Sequence, residues 1–201
     1  MTANDFSVTW DYRCPFARNF CEHVVVGLEG GAPWNVRFIP FSLDQVHVEE
    51  GELDAWENPG ACRSLLAGQV GVAVRDRWPE RFNAAHLALF ASRHDKAGDL
   101  RDEGVLRAAV RESGLNPDHV LSEVKAGWPL ETFRKEHERV VADHRCFGVP
   151  TLIVDDSAVF VRVMNRPHGD VDMARRTVDR VLDLLVGCPE INEFKHTSIP
   201  R

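Results

Sequence analysis

No stretch of the 201-residue chain approaches the roughly 18–20 uncharged apolar residues that a spanning helix requires, so a helical membrane protein is excluded. Basic residues are in deficit: Lys and Arg total 24 against 31 Asp and Glu, a formal charge of −7. No basic stripe is present, which argues against a nucleic-acid partner. Met1-Thr2-Ala3-Asn4-Asp5 holds neither a basic residue nor an apolar run, so no secretory leader is expected there. There is no Cys-x-x-Cys, no His-Glu-x-x-His and no His-x-x-x-His, so nine histidines do not add up to a zinc site. Also missing are a phosphate-binding Gly-x-x-x-x-Gly-Lys-Ser/Thr and a Gly-x-Ser-x-Gly elbow. Gly27-Leu28-Glu29-Gly30-Gly31 lacks dinucleotide-loop spacing and puts an acid where phosphate would approach. Five cysteines, an odd number scattered at 14, 21, 62, 146 and 188, do not form a disulfide framework; a reducing cytoplasm is the expected setting.

What is present is enough apolar residue, 44%, to bury a real core and to exclude a mainly disordered chain. Phe6, Val8, Trp10 and Tyr12 alternate with Ser7, Thr9 and Asp11, which predicts a strand over 6–12. Cys14-Pro15 opens a helix whose apolar face carries Ala17, Phe20, Cys21, Val24 and Leu28, stopped by Gly30-Gly31-Ala32-Pro33. Trp34, Val36 and Phe38 then mark a second strand. This β-α-β opening implies a parallel pair with a right-handed crossover. Residues 44–60 are acidic and read as a solvated loop. Helical periodicity follows in five stretches, around 65–74, 82–90, 105–110, 120–124 and 133–141, with no fixed repeat. Strand character returns at Val149–Val154 and Ala158–Val163, and a last helix runs from about Asp170 to Val186. Neither end can bury itself alone, so the terminal strands must share one sheet. The expected architecture is an α/β domain, residues 1–58 and 146–201, interrupted by an all-helical inserted subdomain, residues 59–145.

Cys14 falls between a strand end and a helix start, where α/β sheets place ligands. A helix N-terminus stabilises an anion, and Arg13 and Arg18 are cationic neighbours, so the thiol is expected to have a lowered pKa. Taken alone, the position reads equally well as a small buried residue opening a helix. Pro150 should occupy the first position of its strand or an edge, because proline cannot donate to a ladder. Its X-Pro bond can be cis or trans.

Cys14-Pro15 after one strand and Val149-Pro150-Thr151 before another, with the long helical block between, resemble the thioredoxin-like superfamily and its DsbA-like branch. Overall layout and the tail Glu193-Phe194-Lys195-His196-Thr197 resemble cytosolic oxidoreductases of the mycothiol-dependent reductase type. The resemblance implies a thioredoxin-like domain in which Cys14 is the nucleophile. Pro15, Phe16, Arg18, Val149, Pro150 and Thr151 would contact substrate. Val149 and Thr151 backbone groups, presented by a cis Pro150, would align it, and Arg18 would stabilise the thiolate. The motif departs from the family's, since Ala17 stands where its second cysteine belongs. Resolution then falls to a low-molecular-weight thiol such as mycothiol or glutathione, with no tightly bound cofactor and no metal. Cys21 lies about 10.5 Å along the helix, beyond the roughly 7 Å reach of a disulfide, and on the apolar face. Cys146, four residues before Pro150, is either a resolving thiol or a spectator; Cys62 and Cys188 have no assigned partner. His137 and His144 could share a helix face, and the five tryptophans read as packing or as lining a cleft. The partner would be a small thiol or a hydrophobic electrophile, with no nucleic acid or membrane involved, and a homodimer is compatible with the layout. Kappa-class glutathione transferases and 2-hydroxychromene-2-carboxylate isomerases resemble the same layout without needing a redox pair. The third alternative is a scaffold that binds without catalysis.

Overall fold

The computed structural model describes residues 4–193 and 195–196; Phe194 and Thr197 of the tail, with residues 1–3 and 198–201, lie outside the described residues. Strand β1 (Asp5–Trp10) leads through a turn into helix α1 (Pro15–Glu29) and then strand β2 (Asn35–Pro40). β1 and β2 pair in parallel from Asp5 opposite Asn35 to Trp10 opposite Pro40. The strand stops at Trp10, two residues short of the alternating pattern. There the chain bends, and the Cys14 amide donates to the Asp11 carbonyl at 3.0 Å, closing a turn.

At the other end of the chain, β3 (Thr151–Val154) and β4 (Ser157–Phe160) form a hairpin. β3 lies antiparallel to β1, with Val8 opposite Leu152, which completes a sheet of order β2-β1-β3-β4. β1 is thus an inner strand, and Val8, Thr9 and Trp10 are fully buried. Helix α8 (Val171–Gly187), capped by the Asp170 side chain, packs along α1 and against the hairpin. As the sequence requires, the two ends of the chain make one sheet.

The segment read as a solvated loop is more ordered than its acidity suggests. Ser42 caps a four-residue helix α2 (Leu43–Val46), and a 3₁₀ turn spans Pro59–Ala61. Ala55 and Trp56 between them are buried, Trp56 against Phe133 and His137. Five helices follow: α3 (Leu65–Arg77), α4 (Pro79–His94), α5 (Glu103–Glu112), α6 (Pro117–Lys125) and α7 (Trp128–His144). α3 is buried nearly all round and packs against α4, α6 and α7, while α7 lies on β2 and α4 reaches α1. The block joins the sheet through an aromatic cluster. Trp10, Tyr12 and Phe38 meet His86, Phe90 and Phe133, and the Tyr12 hydroxyl hydrogen-bonds His86 Nδ1 at 2.9 Å.

Candidate active site at Cys14

Cys14 is the N-cap of α1, with extended backbone, and its sulfur accepts the Ala17 amide at 3.5 Å. The thiol donates to the Val149 carbonyl at 3.3 Å, across 135 residues of chain. The Val149–Pro150 bond is cis, and Pro150 directly precedes β3. Because β1 and β3 are hydrogen-bonded neighbours, the end of one and the start of the other meet at one edge of the sheet, and Cys14 faces the proline loop there.

The electrostatics differ from the expectation of a lowered thiol. Burial pushes the Cys14 pKa up from its ordinary value; the Phe16 and Ala17 amides pull it down, the Asp11 carboxylate adds to the rise and Arg162 opposes it. The helix terminus acts as anticipated, but loss of solvent outweighs it. Arg18 does not face the sulfur: it is ion-paired with Asp95. Arg13 is likewise taken, by Asp44 at 2.6 Å. The cation that does act on Cys14 is Arg162, which comes from the segment after β4.

Asp11 is the buried carboxylate of the site. It accepts the Arg13 amide at 2.8 Å and the Leu43 amide at 2.9 Å, and so ties the Cys14 turn to the start of α2. Burial raises its pKa from the ordinary carboxylate value, while those amides and the Ser64 hydroxyl act against the rise.

The other expected contacts divide. Pro15 is exposed at the first position of α1 and Phe16 is half-buried beside it. Val149 offers its carbonyl to the sulfur. Thr151 is committed internally, its amide to Thr9 Oγ1 and its hydroxyl to the Gly148 carbonyl, both at 2.8 Å. Its amide is therefore already taken by a side chain of β1. Phe147 is 67% exposed and packs at a tilt against Phe160, which with Phe16 brackets the Arg162 guanidinium at 5.3 and 5.4 Å. These residues complete the rim and escape a sequence reading, because only the sheet pairing brings residues 147–162 beside residues 14–16.

No other cysteine is paired with Cys14; all five are free thiols. Cys21 is fully buried on α1 and its pKa is pushed well up by burial and then by Cys14. Burial takes Cys62 and Cys146 up to about 11. Among the described residues no cluster of His, Cys, Asp or Glu is arranged to hold a metal. His137 is buried and accepts the Ser42 amide at 3.2 Å. A cavity of about 350 Å³ lies at the opposite end of β1 and β2, lined by Asp5, Ser7, Arg37 and Asp143, and is not part of this site.

No protein-family model matches the sequence, and no curated protein matches it. Solved structures do match. The oxidoreductase NmDsbA1 from N. meningitidis superposes with a TM-score of 0.60 at 14% identity, over 93% of this chain and 86% of that one. A thioredoxin-like oxidoreductase from Silicibacter pomeroyi gives 0.52 at 22% identity, over 88% and 85%. The thiol-disulfide exchange protein alpha-DsbA2 from Wolbachia pipientis gives 0.55 at 20%, over 90% and 82%. The fold is thioredoxin-like, of the DsbA type. Its helical insertion is α3–α7, and within it Cys14 and Pro150 occupy the facing loops. At these identities the likeness is one of fold.

Proposed function

We propose that the chain is a thiol–disulfide oxidoreductase that works through Cys14 alone. The observation that carries this reading is the Cys14 sulfur set 3.3 Å from the Val149 carbonyl at the cis-proline loop, with Ala17 where a second thiol would stand. The Cys14 thiolate attacks a disulfide sulfur; a Cys14–S bond forms, the substrate S–S bond breaks and one thiolate leaves. A low-molecular-weight thiol, glutathione or mycothiol, then attacks the mixed disulfide, forms its own S–S bond and releases Cys14 as thiolate. The Phe16 and Ala17 amides and Arg162 favour that thiolate, and Val149 holds the protonated thiol between turnovers. Five cysteines without a pair fit a reducing compartment such as the cytoplasm. The finer placement beside mycothiol-dependent reductases rests on overall layout and the tail at 193–197, of which Phe194 and Thr197 are outside the described residues.

The raised pKa of Cys14 favours a second reading, a binding scaffold whose thiol stays protonated. One experiment separates them. The protein is incubated with glutathione disulfide across pH 6–10, and adducts are mapped by mass spectrometry. An adduct at Cys14, released by added thiol and lost in Cys14→Ser, is the expected result. No adduct at any pH, or exchange that survives Cys14→Ser, overturns the oxidoreductase reading. Conjugation or isomerisation of an electrophile without net redox change would move the assignment to the transferase-like alternative.

A further inference from the structure

Four arginines lie on the segments that build or flank the site, and three are occupied. Arg13 is paired with Asp44, Arg18 with Asp95, and Arg166 with Glu22. Arg162 is different: among the described residues its guanidinium has neither an ion-pair nor a hydrogen-bond partner, although it carries five N–H donors in a fork suited to a carboxylate. Glu193 lies within its electrostatic reach but is bonded to Lys195.

Nor is Arg162 on a loose segment. Immediately before it, the Val161 amide donates to the Pro150 carbonyl at 3.0 Å. Immediately after it, Asn19 Nδ2 on α1 donates to the Val163 and Met164 carbonyls at 3.0 and 3.1 Å, and His23 bonds the Asn165 carbonyl at 3.0 Å. The backbone is thus pinned on one side to the proline loop and on the other to the helix that carries Cys14. The guanidinium rests between the Phe16 and Phe160 rings, which favour a cation and leave it charged. An exposed, anchored, unpaired guanidinium beside a nucleophilic sulfur favours an anion on whatever is bonded to that sulfur.

We infer that Arg162 is a specificity-determining residue that selects a carboxylate-bearing small thiol as the partner of Cys14. The inference rests on the oxidoreductase reading above and narrows its co-substrate. In the step concerned, a first G–S⁻ attacks the Cys14 sulfur of the mixed disulfide left by the substrate, the substrate leaves as its second thiolate, and the acid-bearing group G is held as Cys14–S–S–G. A second G–S⁻, its proton lost to solvent, attacks the G sulfur; G–S–S–G forms, the Cys14–S bond breaks and Cys14 leaves as thiolate to be reprotonated. G supplies the two electrons that the first step passed to the substrate, so the cycle balances. Arg162 acts on the mixed disulfide and on the incoming thiolate alike, since both place a carboxylate near the sulfur.

The test uses three probe thiols of similar size: 3-mercaptopropionate, 2-mercaptoethanol and cysteamine, which are anionic, neutral and cationic. Each is loaded onto Cys14 as its mixed disulfide, and release by the same thiol is followed by mass spectrometry, with rates expressed per thiolate. Their ratios to the same exchange on a small-molecule disulfide cancel intrinsic reactivity and any change in the Cys14 pKa. The intact protein should favour the anionic over the neutral thiol by about two- to fivefold, the size of one exposed charge pair, and should disfavour the cationic one. Arg162→Gln should bring the three ratios together, Arg162→Lys should retain the order, and Arg162→Glu should invert it. Added salt should compress the order in the intact protein. Equal ratios in the intact protein, or an order that persists in Arg162→Gln, overturns the inference while leaving Cys14 exchange standing. Failure of all three thiols to load onto Cys14 overturns the oxidoreductase reading and this inference together.

Discussion

A single sulfur atom separates this site from one that resolves itself. Ala17 is fully buried, three residues along α1 from Cys14, and its amide already touches the sulfur. Residues at that spacing are neighbours on a helix face, within the roughly 7 Å that a disulfide spans. In Ala17→Cys, a mixed disulfide formed at Cys14 should discharge without added thiol, at least tenfold faster than in the parent, leaving an internal disulfide between Cys14 and the introduced thiol. Mass spectrometry of the adduct over time checks this; an adduct as long-lived as the parent's would mean that a thiol at position 17 cannot reach the sulfur. Cys14, Pro15 and Pro150 were legible in the sequence because each is a local signal, a helix start or a strand start. The sign of the thiol shift was not. A helix N-terminus is visible in sequence, but the loop that buries the sulfur comes from 135 residues away. Arg162 and Asp11 were missed for the same reason, since pairing and burial are properties of the assembled edge. Arg18 looked like the helpful cation only because Asp95 is 77 residues distant.

Among the elements, α3 lies in close contact with the Trp10–Tyr12 pair and with Phe133 of α7. It carries glycines at 68 and 71 on its inner side, where a Cβ at Gly71 would come within 2.5 Å of the Tyr12 hydroxyl and 2.7 Å of the Trp10 ring, and one at Gly68 within 2.2 Å of the Phe133 ring. Those neighbours are rigid and fully or nearly fully buried. Gly71→Ala should therefore lower stability by about 1–3 kcal/mol despite the better helix propensity of alanine. Urea unfolding measures it, and a variant as stable as the parent would show that the Trp10–Tyr12 pair can shift. Periodicity located the long helices well where each presents one apolar stripe. It also locates α3, although burial nearly all round blurs the stripe there, and it does not reveal α2, which is only four residues long. That short helix is held from outside. Asp44 on it accepts Arg13 Nη1 at 2.6 Å and the Arg63 amide at 2.8 Å, so this acidic residue is structural and not merely solvated. The strand ends moved inward for a related cause, with the chain leaving β1 at Asp11 and β4 at Val161 to build the site.

For the whole molecule, stability should be highest near neutrality and fall on both sides. Burial lowers the His86 pKa from 6.5 to about 3, its Nε2 having no hydrogen-bond partner among the described residues, and burial lowers His137 to about 4. A folded-state pKa below the unfolded value means that these groups contribute fully above pH 6.5 and that the contribution is lost as pH falls, towards about 3 for His86. At about 1.4 kcal/mol per unit, His86 alone is worth on the order of 3–5 kcal/mol at the acid limit. Cys62 and Cys146 act in the opposite sense. Raised from 9.0 to about 11, they contribute below pH 9 and lose that contribution as pH rises to 11. The urea midpoint should follow this dome, and the Tyr12→Phe/His86→Phe pair, which removes both partners of the buried hydrogen bond, should flatten its acid side. An acid side unchanged in the pair would assign the loss to other groups. One consequence of placing β1 inside the sheet concerns time. The ribosome delivers Cys14 about 135 residues before the carbonyl that will cover it, an interval of roughly 7 to 27 seconds at ordinary elongation rates. Throughout it the sulfur lacks the Val149 carbonyl that accepts its proton in the finished fold. The last strands to be made, and not the helix that bears the sulfur, decide when its chemistry comes under control.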